Sequence, residues 1–376
     1  MTDASPRQSL ASIARALGVS TATVSNAFNK PERVSDELRA RVLDHARKVG
    51  YVGPDPAARH LRRGRSDVVG LVFSDNLEFA FQDQASLGFL AGLSAACGAS
   101  GRNLLMLAAG PPTASTGASI WRSPVSTAAM DGLIVYSVPQ SDPHLLAALA
   151  RALPVVVVDQ PRNHPGVDWV GLDDRAATRE IGRHVAGLGH RRIGVVCTRL
   201  GTTRYNGPVT VARRTSATYD VQHERMDGLL EGLAESGIAM NDVAIEERFH
   251  ASRDSGAAAL DALLERQPGI TAVCCLADVL ALGVLDAATR RGLRIPQDLT
   301  VTGFDDIGEA ERAGLTTIQQ PLELKGHQAG RLLLERLAHG ERPGLPGQRS
   351  LHQARRVLLP TVMQVRRSSA VPASRS

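Results

Sequence analysis

The chain has 376 residues, 43% of them hydrophobic and 22% charged, which excludes a disordered, collagenous or membrane-embedded protein and suits two or three globular domains. The formal net charge is +5, yet residues 1–66 hold 12 Lys+Arg against 6 Asp+Glu, leaving 31 basic and 32 acidic residues for the other 310. A polyanion would therefore bind the N-terminal sixth. The four cysteines, Cys97, Cys197, Cys274 and Cys275, have neither the density of a disulfide scaffold nor a zinc-site spacing, and read as small buried apolar side chains. The N-terminal MTDASPRQSL has no apolar run or cleavage pattern, and the longest apolar stretch, 270–288, is broken by Asp278. A cytoplasmic protein without a membrane span is expected.

In chain order, Ser9 is placed to cap a helix Leu10–Leu17 that turns Ile13, Ala14 and Leu17 to one face, and Gly18 ends it. Ser20 caps a second helix, Thr21–Asn29, with Val24, Ala27 and Phe28 inward. Ser35 caps a third, with Asp36 and Glu37 in the first turn, where the helix dipole favours acids, and Leu38, Val42, Ala46 and Val49 at helical spacing. Two short helices across a tight glycine turn, locked by a third, make a helix-turn-helix, whose second helix enters the major groove. Its outward face carries Ser20 at the cap and Thr21, Ala22, Ser25, Asn26 and Asn29, hydroxyls and amides suited to phosphates and base edges; Asn26 can pair bidentately with adenine. A plain three-helix bundle would show the same apolar spacing, but not the net charge of +6 on residues 1–66.

The next segment, YVGPDPAARHLRRGRSD, predicts a short basic helix over Pro56–Arg63, capped by Asp55. It presents one large apolar residue, Leu61, among Arg59, Arg62, Arg63 and Arg65. That composition suits a minor-groove wedge, with arginines on phosphates and the leucine between base steps, and also an ordinary solvated linker.

From Val68 onward, apolar strands alternate with amphipathic helices. Strands are expected at Val68–Ser74, Leu104–Leu107, Gly132–Tyr136, Val155–Asp159, Ile193–Cys197, Ala272–Leu276 and Thr300–Asp305, and helices at Gln84–Ser100, Ala176–Leu188, Glu224–Ser236, Ser255–Arg266, Val279–Arg291 and Glu323–His339. The fold class is thus α/β, an all-α headpiece followed by parallel sheets in two lobes, because about 300 residues exceed one compact domain. Ligands in such folds bind beyond the carboxyl ends of strands. Asp159, Asp173, Asp174, Asp278, Asp305 and Asp306 all lie at such ends, where they suit either helix caps or a cleft accepting hydrogen bonds from a polyhydroxyl or amine-bearing ligand. Phe79 and Phe81 follow the first strand and suit stacking on a ring or packing under a loop; Phe249 is a weaker aromatic candidate. Leu200–His223 reads as a lid or a surface insertion, and Pro111–Ala129 as an irregular loop.

SLASIARALGVSTATVSNAFNKPERVSDELRARVLDHARKVGY resembles the DNA-binding headpiece of the LacI/GalR family of bacterial transcriptional regulators, and PDPAARHL resembles its hinge helix. The resemblance runs to about Val365. It implies a headpiece over 1–53, a hinge over 54–66, and an effector-binding core over 67–367 similar to periplasmic sugar-binding proteins. The first lobe of that core would take about 67–172 and 320–358, the second about 173–319 and 359–367, with a disordered tail at 368–376. LADVLALGVLDAATRRGLRIPQDLTVTGFDD implies that Asp278 contacts the effector, ERMDGLLEGL implies the same for Arg225, TTIQQP makes Gln320 a pocket residue, and GLDDRAATREIGRHVAGLGHRRIGVV places Asp173 near the first crossover.

No G-x-S-x-G, Walker, H-E-x-x-H or dinucleotide motif is present, and His184, His190 and His327 suit surface or capping roles, so neither an enzyme nor a metal or cofactor site is expected. A secreted solute-binding protein would not carry the basic headpiece. The expected function is a repressor, a homodimer on double-stranded operator DNA, controlled by a small-molecule effector. A sugar or glycoside is favoured, with a nucleoside or purine, or ligand-independent DNA binding, as alternatives. The tail lacks leucine heptads, so no tetramerising coiled coil is expected.

Overall fold

A computed structural model of the protein describes residues 9–51, 53, 65–73, 77–107, 123–340 and 353–373, without the side chains of Phe79 and Asn241. The chain divides into two units, Met1–Ser66 and Asp67–Ser376.

In the first unit α1 (Leu10–Leu17), α2 (Thr21–Asn29) and α3 (Asp36–Lys48) begin at the expected serines. Ser9 and Ser12 form a reciprocal capping box, and Gly18 ends α1 in the left-handed region at φ 67°. Ser20 accepts from the Thr23 amide and Ser35 from the Leu38 amide, each satisfying a donor that the first helical turn leaves unpaired. The core is Ile13, Ala14, Val24, Ala27, Val42 and Ala46, flanked by Leu17, Phe28, Leu38 and Val49, the residues that the helical spacing turns inward. The Pro56–Arg63 helix, with Arg59, Leu61 and Arg62, lies outside the described residues.

The second unit opens with β1 (Val68–Phe73), α4 (Leu77–Gln82), α5 (Gln84–Ala99), β2 (Asn103–Leu107), β3 (Gly132–Tyr136), α6 (Pro143–Ala150), β4 (Val155–Val158) and β5 (Asp168–Leu172). It continues through α7 (Asp174–Gly187), β6 (Ile193–Thr198), β7 (Gly207–Pro208), α8 (Val211–Thr215), α9 (Asp220–Ala234), β8 (Val243–Arg248), α10 (Arg253–Arg266), β9 (Ala272–Cys275), α11 (Asp278–Arg290), β10 (Thr300–Thr302) and α12 (Gly308–Ala313). The chain then crosses through β11 (Thr317–Gln319), α13 (Leu322–Ala338), β12 (Arg356–Leu359) and β13 (Val362–Gln364). A six-stranded parallel sheet in the order β12-β5-β4-β3-β1-β2 carries the first lobe, and a five-stranded sheet, β10-β9-β6-β8-β7, carries the second. A β11-β13 pair joins the crossing segments.

Strands such as VVVV at β4 are buried along their whole length, as sheets covered by helices on both faces require. Helices α5 and α13 meet backbone to backbone: a Cβ on Gly92 would stand 1.8 Å from the Glu323 carbonyl oxygen, and one on Gly326 would stand 2.0 Å from that of Phe89. The register sets Phe73 beside Tyr136, and Tyr136 beside Val158, so the carboxyl ends of β1, β3 and β4 finish level.

Expectations change at the Leu200–His223 stretch and at the tail. The Leu200–His223 stretch supplies the edge strand β7, antiparallel to β8, and the helix α8, anchored where Arg213 Nε donates to buried Glu247 at 2.8 Å. Of Pro111–Ala129, residues 111–122 lie outside the described residues, while Pro124–Ser126 form a single 3-10 turn. The tail is not disordered over 368–373: Ser368 is buried, its Oγ donates to the Val301 carbonyl at 2.6 Å, and the Ala370 amide donates to Thr300 Oγ1. The chain end satisfies polar groups along β10 that no neighbouring strand reaches. All four cysteines are buried. Among the described residues no helix is long and apolar enough to cross a membrane.

Candidate functional site

The carboxyl ends of both sheets face one cleft of about 150 Å³ that opens to solvent. Phe73, Tyr136 and Asp159 line it at the ends of β1, β3 and β4; Thr198 lines it at the end of β6, and Phe249, Ala277 and Asp305 from beyond β8, β9 and β10. The position is the one that open α/β sheets assign to ligands.

A network of buried charges lines and backs this cleft. Asp159, held at φ 64°, accepts from Lys325 Nζ at 2.8 Å, and Lys325 is fully buried on α13. The same ammonium donates to Gln320 Oε1, while Gln320 Nε2 donates to Asp305 Oδ1 at 2.5 Å. Asp305, held at φ 125°, also faces Arg225 Nη1 at 3.7 Å. Arg225 in turn donates to Asp174 at 2.9 Å and to the Leu276 carbonyl, and stacks on the Phe304 ring at 3.5 Å from its centroid. Asp159 thus sits in the left-handed region, where Asp is among the residues tolerated best, while Asp305 lies outside it in a region that costs a non-glycine residue on the order of 1–3 kcal/mol.

Burial pushes the Asp305 carboxyl up to about 8, with Asp278 and Asp83 adding to the shift and Arg225 opposing it. At neutral pH it is largely protonated. Burial, reinforced by Asp159, Asp83 and Asp305, also holds the Tyr136 hydroxyl well above its ordinary value, so it stays a donor. The aromatic side of the cleft is Tyr136, tilted at 4.5 Å against Phe89, and the rings of Tyr219 and Phe249, with the Arg199 guanidinium 5.1 and 5.4 Å from their centroids.

Of the residues expected from sequence, Asp159, Arg225 and Gln320 line the cleft. Asp173 does not: it is exposed and caps α7, accepting from the Ala176 amide at 3.0 Å. Its neighbour Asp174 turns inward to hold Arg225 and Arg162. Asp278 is also behind the wall. Its carboxylate accepts from Thr317 Oγ1 at 2.6 Å and from the Ile307 amide at 3.0 Å, in a space that only a glycine at 303 leaves open, since a Cβ there would stand 2.1 Å from Oδ1. Burial raises this acid to about 6. Ala277 and Val279, on either side, are the ones that reach the cleft. The side chain of Phe79 lies outside the described residues, and Phe81 is exposed. Sequence reasoning misses Lys325, Gln160, Tyr136 and Arg199. A signal for Lys325 is present: it interrupts the apolar stripe of Leu322, Ala329, Leu332, Leu333 and Leu337 on α13.

In the first unit the α2 surface carries Ser20, Thr21 and Ala22 exposed, with Ser25, Asn26 and Asn29 half-buried. Asn29 is partly engaged, its Nδ2 donating to the Ser25 carbonyl at 2.9 Å.

Residues 9–53 match the bacterial regulatory proteins of the lacI family, and residues 183–369 match a periplasmic binding protein-like domain. The chain is 44% identical over 340 residues to the HTH-type transcriptional regulator Rv3575c of Mycobacterium tuberculosis, a match spanning 90% of this chain and 93% of that one. A crystal structure of a LacI-family transcriptional regulator from Corynebacterium glutamicum is 35% identical, covers 98% of this chain and all of its own, and superposes with a TM-score of 0.70. The solved complex of the transcriptional regulator CelR with cellobiose is 26% identical, covers 96% of this chain and all of its own, and gives a TM-score of 0.65. With a helix-turn-helix unit, a cleft at the carboxyl ends of two parallel sheets and these relatives, the chain belongs to the LacI family of DNA-binding transcriptional regulators.

Proposed function

We propose that the protein is a ligand-responsive repressor, a cytoplasmic homodimer whose headpieces read the two halves of an operator and whose cleft binds a neutral polyhydroxyl effector, a sugar or glycoside. The observation that carries this reading is the charge pairing in and behind the cleft. Lys325 offsets Asp159, Arg225 offsets Asp174, and Asp305 is largely protonated at neutral pH. Such walls offer many hydrogen-bond donors and acceptors on groups that already hold one another, which suits a neutral ligand rich in hydroxyls, while Tyr136, Tyr219 and Phe249 offer ring faces. The CelR–cellobiose complex supports the same class. The protein acts by linked binding and not by catalysis: a useful coupling between cleft and operator is on the order of 1–3 kcal/mol. On the DNA side, Ser20, Thr21, Ala22, Ser25, Asn26 and Asn29 face the major groove, and Leu61 between Arg59 and Arg62 wedges the minor groove at the operator centre.

The test is a thermal-shift panel of mono- and disaccharides on the full chain, with operator binding measured for each hit. A sugar that raises the melting temperature and changes operator affinity is the expected outcome. Stabilisation by purines or nucleosides alone would move the effector to that class, and stabilisation by neither, with tight operator binding kept, would sink the ligand switch. Operator affinity is expected to fall steeply with salt as arginines displace counterions, and Leu61→Ala to weaken specific binding more than non-specific. Equal losses on both DNAs would remove the wedge.

A further inference from the structure

Gln160 directly follows Asp159 at the end of β4, lines the cleft, and is 1% exposed. Its Oε1 accepts from the main-chain N–H of Val221 at 2.8 Å. A main-chain N–H can only donate, so the amide end that faces Val221 must be the oxygen and the side chain cannot be flipped. The other end, Nε2, is buried and has no hydrogen-bond partner among the described residues. Buried donors are almost always satisfied, because an unmet one forfeits its hydration without return. Val221 lies in the first turn of α9, next to Gln222 and one turn before Arg225, and both of these also line the cleft. One amide therefore joins the first lobe to the second at one end and carries an unmet donor at the other, in a residue that lines the ligand space.

We infer that Gln160 is the ligand-sensing clasp between the lobes. Its Nε2 donates to an oxygen of the bound compound while its Oε1 holds Val221, so the ligand extends the hydrogen-bond chain that joins β4 to α9. The inference rests on the polyhydroxyl reading of the cleft and adds the atom that reads the ligand. A compound with a hydroxyl, ring or carbonyl oxygen at this point satisfies Nε2, whereas one with a hydrogen or methyl there leaves it unmet. A site built to hydrogen-bond one group rejects the analogue that lacks it far more strongly than an apolar pocket rejects a methylene.

The test uses the full chain, with D-glucose, D-ribose and cellobiose as probes, and compares wild type with Gln160→Glu and Gln160→Leu by calorimetry between about pH 5 and about pH 8. Gln160→Glu keeps an acceptor for Val221 and loses the donor. Relative to wild type at the same pH, it is expected to bind at least ~10-fold more weakly at the alkaline end and to recover as pH falls, since a protonated carboxyl donates again. Gln160→Leu has neither atom and is expected to stay weak throughout. Because either variant could fold poorly, deoxy derivatives of the bound sugar are titrated against wild type as well, where one position is expected to cost at least ~10-fold. A Gln160→Glu protein that binds like wild type across the range, or wild-type affinity equal for every deoxy derivative, overturns the clasp alone. No response of wild type to any probe overturns the clasp together with the polyhydroxyl reading.

Discussion

The helical N-terminal unit buries Ile13, Ala14, Val24, Ala27, Val42 and Ala46, all apolar, and leaves Thr21 and Ala22 exposed. The cleft of the larger unit does the reverse: Asp159, Arg225, Asp305, Gln320 and Lys325 are all buried. The two regions should therefore fail differently. Removing an apolar side chain leaves a cavity whose cost stays near that site. Removing one buried charge strands its partner, so the cost includes the desolvation of a group that is still present.

The largest effect is expected at Arg225, which serves Asp174, Asp305 and the Leu276 carbonyl at once. Arg225→Met should cost about 3–5 kcal/mol in urea unfolding; a loss below about 1 kcal/mol would mean that the network does not hold the cleft together. Next, Ile13→Ala should cost about 2–5 kcal/mol, confined to the N-terminal unit. Operator binding is lost while the sugar-induced thermal shift of the larger unit persists, and loss of both would show that the units do not fold independently.

Asp278→Ala sharpens the comparison, because this acid is buried but lies behind the cleft wall. Losing its bonds to Thr317 and Ile307 should cost about 1–3 kcal/mol, with sugar affinity kept within about twofold. A selective loss of affinity would return Asp278 to the ligand. The smallest effect is in pH dependence. The folded chain holds the Asp305 proton up to about pH 8, against an ordinary value of 3.8. Its contribution to stability is therefore complete below about pH 4 and is lost as pH rises through about 8. Asp305→Asn, neutral throughout, should flatten that decline, by about 1 kcal/mol between about pH 7 and about pH 9, seen as a few degrees in melting temperature at roughly 2–4 °C per kcal/mol for domains approaching this size. Parallel curves for the two proteins would show that Asp305 does not carry the proton.

The helix starts at Ser9, Ser20 and Ser35 are legible because a cap bonds an amide three residues away, a contact that lies wholly within the local sequence. The parallel sheets are legible because strands such as VVVV, buried on both faces, have no polar alternation. The ligand end of those strands follows from topology, and it places Asp159 and Asp305 at the cleft. Helix starts inside the core shift more, as at α9, which begins four residues before the expected Glu224.

Packing between distant elements decides which member of a run of neighbours faces the ligand. Successive residues on a helix point about 100° apart, so at the head of α7 Asp173 caps outward while Asp174 turns in to Arg225, and at the head of α11 Asp278 turns away between Ala277 and Val279. Lys325 and Asp159 are 166 positions apart, and Gln160 and Val221 are 61 apart, so neither contact leaves a trace in local spacing. The caps, the longer strands and helices and the ligand end of each sheet are legible from local sequence, because they depend on hydrogen bonds and periodicities a few residues long, whereas short strands such as β7 and β13 depend on the partner they pair with. The partners of the buried charges are decided only when elements far apart in the chain pack together, because in low dielectric a charge takes whichever counter-charge the packing brings within reach.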